Sequence, residues 1–306
     1  MSEPKKQHYV PQTYLKNFGT GKNGTGLYVL SKCAHKVYPS QVGDTAAERH
    51  FYTLNNVEDK YAWEKMYANS VEPSLANLLK SIRQKCENAL VQNQSIVISS
   101  EEKTELSINM IIQLLRGKRT RKYQKKTYNR LLPTVFLEAK NHFPNVSEDT
   151  INRAYANFFE QDKYFKEISM QTSLNENSIK KFASLLNAYT FILYRSNKKY
   201  PFITSDNPVM FVNSLTQNVT PFSNGLLNSS TIVYFPISPQ LLLGAYNPYF
   251  ADGALMDRDC SLEILNVEKE KGFIKTHNKK QVEQSDEYVY SNDQQTLEDL
   301  LSKMRT

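Results

Sequence analysis

Cysteine is scarce in this chain of 306 residues, which contains only 3. Cys33, Cys86 and Cys260 are odd in number and lie far apart. Their spacing argues against a disulfide framework and against a cysteine-rich zinc site. It favours a reducing compartment, because disulfides persist mainly in oxidising environments.

Long apolar runs and the common catalytic motifs are also missing. No apolar run approaches the ~20 residues that span a bilayer, and residues 1–6 lack the apolar stretch of a signal peptide. We therefore expect a cytoplasmic protein without a membrane partner. The chain has no helical pair of histidines, no glycine-rich phosphate loop and no closely spaced cysteine pair. These absences argue against a zinc hydrolase, a kinase-like NTPase and a dinucleotide-fold dehydrogenase.

The residues present are those of a globular protein with an uneven distribution of charge. Hydrophobic residues make up 40% and charged residues 23% of the chain, and the net charge is +7. Basic residues concentrate in one run: Arg116, Lys118, Arg119, Arg121, Lys122, Lys125, Lys126 and Arg130. Such a run either contacts the phosphates of a nucleic acid or forms a solvated helix face.

Strand-like segments near both ends enclose a helical middle. Short apolar segments bounded by turn residues occur at 27–30 and 36–39, and again at 202–204, 231–235 and 241–245. Helical spacing dominates from about 59 to 197, including predicted helices at 104–123 and 178–195. We predict one mixed α+β domain over residues 1–306, in which strands from both ends form a sheet around the helical middle. A separate helical lobe is the alternative.

The segment from residue 8 to residue 18 is unusually rich in aromatic side chains for a chain end. Pro11 restricts Val10 to an extended conformation and suits the start of a helix. An anchored segment that carries His8 and Gln12 is a candidate site. The alternative is a structural histidine that caps a turn.

A polar stripe runs along the predicted helix 104–123, which is apolar nearly all round its first half. Asn109, Gln113 and Arg116 follow one another at helical spacing. Unpaired buried polar groups cost roughly 1–3 kcal/mol each, so the stripe requires partners. It forms either the wall of a polar pocket or a network that ties helices together. Arg116 favours the pocket, because a buried arginine usually has an anionic partner.

Four carboxylates stand out by position. Asp206 follows a short apolar strand, where site residues often lie, although an aspartate there also caps turns. Glu48 lies in an extended segment, and Glu64 and Glu72 are spaced to share one helical face.

Several segments resemble the opening and later signatures of a large, mostly bacterial family, the domain-of-unknown-function family numbered 4238. The matching segments are HYVPQ (8–12), YLKNF (14–18), AERHFY (47–52), LLR (114–116), FITSDNPV (202–209) and FPISP (235–239). They span most of the chain. The resemblance implies membership of the family but no particular reaction.

A histidine, several carboxylates and an arginine are the groups of a metal-assisted phosphodiesterase. We assign catalytic roles to His8, Glu48, Glu72 and Asp206, with Glu48, Glu72 and Asp206 as ligands of Mg²⁺ or Mn²⁺. The residues expected to bind substrate phosphates are Gln12, Asn109, Gln113, Arg116, Arg119 and Lys122. The predicted function is a metal-dependent nuclease acting on RNA or DNA, for example in bacterial defence against phage. The alternative is a non-catalytic protein that binds a small anionic ligand or a protein partner.

Overall fold

The N-terminal segment forms short strands around a single helical turn. A computed structural model describes residues 5–54, 57–92, 94–142, 145–160, 162–173, 175–219, 224–249 and 253–304. The first elements are β1 (Lys6–His8), α1 (Gln12–Leu15), β2 (Gly26–Ser31), β3 (Lys36–Gln41) and β4 (Ala47–Arg49). The helical turn begins directly after Pro11, because the fixed φ of proline, here −56°, suits entry into a helix.

Helices make up the middle of the chain. They are α2 (Ala62–Met66), α3 (Glu72–Gln92), α4 (Ser100–Arg116), α5 (Lys118–His142), α6 (Glu148–Glu160), α7 (Asp162–Ser173) and α8 (Glu176–Asn187). A π-helical turn, Tyr67–Val71, joins α2 to α3. A capping box begins α4, in which Ser99 and Glu102 bind each other's backbone N–H groups. Gly117 adopts an extended conformation and ends α4, so the predicted helix 104–123 is in fact parts of two helices.

Strands return in the last third of the chain. The elements are β5 (Thr190–Arg195), β6 (Thr204–Ser205), β7 (Met210–Asn213), β8 (Thr231–Ser238), β9 (Leu241–Tyr246), α9 (Gly253–Met256), β10 (Ser261–Ile264), α10 (Val267–Gln284), β11 (Tyr288–Ser291) and α11 (Gln294–Met304). The predicted helix 178–195 was wrong in its last part, where the chain forms β5. A short apolar run rich in branched and aromatic residues fits either structure by spacing alone.

Strands from the two ends of the chain share one sheet, as predicted. Its order is β3-β2-β11-β6, and Val289 of β11 pairs with Leu30 on one side and Ser205 on the other. A second sheet has the order β10-β5-β9-β8-β7, with β10 parallel to β5 and the other pairs antiparallel. The strands β1 and β4 form a small antiparallel pair. The fold is therefore α+β, and along the chain most helices lie between the N-terminal strands β1–β4 and the C-terminal strands β5–β11.

The largest hydrophobic core joins the N-terminal segment to helices and to the second sheet. Tyr14, Leu15 and Phe18 are buried in it together with side chains of α3, α4, β5 and β8. Burial of each large apolar side chain contributes roughly 1.5–3 kcal/mol, which holds the N-terminal segment firmly in place. Within the described ranges, no helix has both the length and the apolar character required to cross a membrane.

Tyr14 provides a test of this anchoring. Its hydroxyl lies 2.7 Å from Thr204 Oγ1 and donates to the carbonyl oxygen of Pro236, also at 2.7 Å. Tyr14→Phe leaves both buried partners without this hydroxyl, so we expect a loss of about 1–3 kcal/mol in the free energy of unfolding. Urea denaturation measures it. Tyr249→Phe is the matched control, because Tyr249 is 89% exposed; equal effects of the two substitutions would contradict the prediction.

Candidate functional site

His8 is held on both sides by its neighbours. Its Nε2 lies 3.3 Å from the carbonyl oxygen of Gly43, and its Nδ1 lies 3.4 Å from the amide nitrogen of Gln12. Burial lowers the pKa of His8, so the imidazole is neutral near pH 7. In the tautomer that fits both partners, Nε2–H donates to Gly43 and Nδ1 accepts from Gln12. Both ring nitrogens are thus occupied.

Arg116 connects α4 to the N-terminal segment. Its Nη2 donates to the carbonyl oxygen of His8 at 2.6 Å and to Glu72 Oε1 at 3.0 Å, and its Nε donates to the Tyr52 hydroxyl at 2.9 Å. The guanidinium lies over the ring of Tyr67, 4.0 Å from the ring centroid. Burial lowers the pKa of Arg116, but the adjacent tyrosines and Glu72 outweigh burial and raise the pKa above its ordinary value. The predicted anionic partner of Arg116 is therefore Glu72.

Glu64 lies close to this ion pair, and its environment shifts its pKa strongly. Burial, followed by the negative charge of Glu72, raises the pKa of Glu64 to about 7, although Arg116 lowers it. The two glutamates thus differ in environment, since Glu72 is bound by a guanidinium and Glu64 is not in contact with one in the described part of the chain. We call His8, Gln12, Glu64, Glu72 and Arg116 the His8 cluster.

A second group of charges surrounds Tyr9. Burial, Asp206 and Glu48, in that order, raise the pKa of the Tyr9 phenol above its ordinary value. Lys118 forms an ion pair with Glu48. Lys122 forms another with Asp286, at 2.6 Å. Arg119 donates to the carbonyl oxygen of Gln284. We call Tyr9, Glu48, Lys118, Arg119, Lys122, Asp206 and Asp286 the Tyr9 cluster.

Asp206 caps the turn between α10 and β11. Its carboxylate accepts from the backbone N–H groups of Asp286 at 2.8 Å, Glu287 at 2.6 Å and Tyr288 at 2.9 Å. Burial raises the pKa of Asp206 to about 6, although these three hydrogen bonds lower it. The carboxylate thus satisfies three donors of a turn that is distant in the sequence, whereas the alternative raised by the sequence was that Asp206 caps its own turn.

The sequence assigns His8, Glu48, Glu72, Arg116 and Asp206 to one metal-assisted site, and the structure divides these residues between the two clusters. Successive side chains of an extended segment point to opposite sides. His8 and Tyr9 are such neighbours, and each gathers its own set of partners. Glu72 and Arg116 belong to the His8 cluster, and Glu48 and Asp206 belong to the Tyr9 cluster. The catalytic roles assigned to these residues stay predictions.

The rest of the polar stripe on α4 contacts backbone. Asn109 Nδ2 donates to the carbonyl oxygen of Glu105, one turn earlier, at 2.9 Å. Gln113 Nε2 donates to the carbonyl oxygen of Tyr9 at 3.0 Å. With Arg116 on His8, the stripe fixes two consecutive backbone carbonyls of the N-terminal segment. The stripe therefore acts as a network between elements.

The three proposed metal ligands have separate partners. Glu48 binds Lys118, Glu72 binds Arg116, and Asp206 binds backbone N–H groups. Across the described residues, no group of three or more His, Cys, Asp or Glu side chains is placed to hold a metal ion. The donor set predicted for Mg²⁺ or Mn²⁺ is therefore not assembled from these three carboxylates.

Much of the basic run is engaged within the protein. The partners of Arg116, Lys118, Arg119 and Lys122 are described above. Arg121 donates to the carbonyl oxygen of Phe51 at 3.0 Å and stacks on the Phe51 ring. Lys125 lies over the ring of Phe165. The charges of this run thus hold α5 against neighbouring segments.

A cleft of about 680 Å³ lies along α3. None of the site residues predicted from the sequence lines it. Six charged side chains line it: Lys80, Arg83, Arg195 and Lys198 are cationic, and Glu87 and Asp293 are anionic. Arg195 pairs with Glu87 through two contacts of 2.9 and 3.1 Å. The Nε of Arg83 is buried and has no hydrogen-bond partner among the described residues. The cleft therefore holds an excess of positive charge.

A sequence signal for this cleft existed. Lys80, Arg83, Gln84 and Glu87 follow helical spacing and form one polar face of α3. A polar helix face is usually solvated, so its spacing alone does not single it out. The cleft exists because β5 and the β8–β9 turn pack beside that face.

Glu64 makes folding stability depend on pH. Its folded-state pKa, about 7, lies above its ordinary value of 4.5. The stability that it contributes is therefore complete below pH 4.5 and is lost as the pH rises through 7. Glutamine carries no charge, so we expect Glu64→Gln to remove this loss. Between pH 5 and pH 8, the free energy of unfolding of the variant should rise by about 1–2 kcal/mol relative to that of the wild type, a value that allows for solvent screening of the half-exposed carboxylate. Urea titrations at each pH measure the difference. Glu138→Gln, at an exposed position, is the control; a pH-independent difference for Glu64→Gln would refute the assignment.

Comparison with known proteins agrees with the motifs. No curated protein and no solved structure matches this chain. The sequence model of one family, described as "Protein of unknown function (DUF4238)", matches residues 6–295. That range contains both clusters and the residues that line the cleft. Because the match covers nearly the whole chain, this protein belongs to the DUF4238 family.

Proposed function

We propose that this protein binds a small anionic ligand in the cleft beside α3. The observation that carries the proposal is Arg83, whose Nε is buried without a partner in the described part of the chain. An anion bound beside this guanidinium would offset part of the free-energy cost of its desolvated charge. Burial lowers the pKa of Arg83, as expected for a guanidinium that lacks an anionic neighbour.

The charge balance of the cleft supports the same proposal. The Arg195–Glu87 pair is self-contained, which leaves Lys80, Arg83 and Lys198 as cations. Opposing them is Asp293, whose carboxylate already accepts from the backbone N–H of Thr296 at 2.9 Å. A concave site with surplus positive charge attracts anions more strongly than an open surface does.

Several elements build the cleft, so its shape is largely fixed before a ligand arrives. Residues from α3, the end of β5, the β8–β9 turn and the connection between β11 and α11 line it, and Asn17 comes from the N-terminal segment. Because α1 is anchored in the core and contacts α3, Asn17 is held in position. A preformed site loses little conformational entropy on binding.

A metal-dependent nuclease, the first function predicted, has less support. Its three carboxylates have separate partners, and most cations of the basic run bind groups of the protein itself. Phosphate contacts by these cations would require existing contacts to break. Ligand binding in the cleft requires no such change.

The binding proposal predicts a specific effect of charge removal. Wild-type protein should bind inorganic pyrophosphate, measured by isothermal titration calorimetry, and rising salt should weaken the binding. Arg83→Gln should reduce the affinity roughly 10- to 100-fold, since a hydrogen bond to a charged group is worth about 1.5–3 kcal/mol. Lys198→Gln, at an exposed position, should also reduce it without affecting the fold.

Lys271→Gln is the matched control, because it removes one exposed lysine from α10, outside the cleft. Thermal unfolding without ligand checks that each variant is folded. Equal affinity in the wild type and the three variants would show that pyrophosphate binds outside the cleft. If the wild type bound neither pyrophosphate nor a larger phosphate ester, the proposal would be overturned.

The proposal also predicts that nucleic acids stay intact. RNA and DNA incubated with the protein in Mg²⁺, Mn²⁺ or EDTA should show no degradation on a gel, because the candidate carboxylates are not assembled for metal binding. Degradation that EDTA prevents would support the nuclease instead. Glu72→Gln and Glu48→Gln then separate a true activity from a contaminant, which would degrade nucleic acid equally in all preparations.

A further inference from the structure

The neutral side chains of the cleft narrow the class of ligand. Five of them carry side-chain amide or hydroxyl groups that can form hydrogen bonds: Asn17, Gln84, Ser238, Gln240 and Asn292. Amide side chains and hydroxyl groups both donate and accept, so they suit a ligand with several hydroxyl groups. A ligand with only acceptor oxygens, such as a bare phosphate, uses the donors and leaves the acceptors unused.

The lining lacks a surface for a nucleobase. In the described part of the chain, no aromatic side chain lines the cleft. Bases are commonly bound by stacking on aromatic rings or on guanidinium planes, worth about 1–3 kcal/mol per base. A nucleotide would therefore lack the stacking on aromatic rings that commonly binds its base.

The cations come from two elements, which suits more than one anionic group. Lys80 and Arg83 lie on α3, and Lys198 follows β5. The volume of about 680 Å³ falls within the range of small-molecule sites, which is roughly 300–1,000 Å³. A six-carbon ring or chain with one or two phosphates is of a size for such a site.

We propose that the ligand is a phosphorylated polyol, meaning a sugar phosphate or a cyclitol phosphate, and that its hydroxyl groups bind the amide side chains of the cleft. This inference rests on the proposed function, since it names the class of anion that the same cleft binds. The cations bind the phosphates, and Gln84 and Gln240 bind the hydroxyl groups.

Calorimetry at fixed ionic strength tests the class of ligand. The probes are fructose 1,6-bisphosphate, myo-inositol 1,4-bisphosphate, ADP and inorganic pyrophosphate. At least one polyol phosphate should bind about tenfold more tightly than both ADP and pyrophosphate, since two neutral hydrogen bonds contribute about 1–3 kcal/mol. Equal affinity for pyrophosphate and the polyol phosphates, or tightest binding of ADP, would overturn the inference while the anion site stands. Binding of none of the four would overturn the proposed function itself.

Two variants locate the hydroxyl contacts. Gln240→Leu and Gln84→Leu should each weaken the polyol phosphate several-fold and leave pyrophosphate unchanged. Arg83→Gln should weaken both ligands, because it removes a contact to phosphate. Gln240 is half-buried and Gln84 is exposed, so we expect at least Gln84→Leu to leave the fold intact. Unchanged affinity for the polyol phosphate in both leucine variants would refute the proposed contacts.

Discussion

The buried guanidinium of Arg116 is the contact on which the arrangement of the N-terminal segment depends. It binds a backbone carbonyl of that segment, the hydroxyl of Tyr52 and the carboxylate of Glu72, and so links three parts of the chain in one place. Its Nη1 is buried without a hydrogen-bond partner among the described residues, so the contacts of Nε and Nη2 must offset the cost of burying the charge. The positions of the segment, of α3 and of α4 are therefore coupled.

Charge pairing explains why the polar residues near the N-terminus look like a catalytic site in the sequence. Arginine, histidine and carboxylates are rare in protein interiors, so their appearance among apolar residues suggests chemistry. Here most of them satisfy one another or the backbone. Glu64 differs, since it is half-buried beside a paired glutamate and titrates near neutral pH. Its environment makes folding stability sensitive to pH.

The cleft differs from both clusters in holding more cationic than anionic side chains. Arg83 is partly desolvated, and no acceptor for its Nε occurs in the described ranges. Proteins usually pair such groups, and an orphaned donor in a concave polar site is a reason to look for a ligand. The secondary-structure elements around it belong to both ends of the chain and to the helical middle, so ligand binding would stabilise the whole fold.

Sequence patterns determined the local features of this protein. Periodicity and turn residues were enough to predict strands at both ends, helices between them and a buried Arg116 with an anionic partner. The tertiary structure decided which carboxylate that partner is, that residues 190–195 form a strand, and that His8 and Asp206 belong to different groups. It also created the cleft, whose residues come from distant segments. The reason is physical: spacing along the chain reports which face of an element is apolar, whereas strand register and helix packing decide which faces meet.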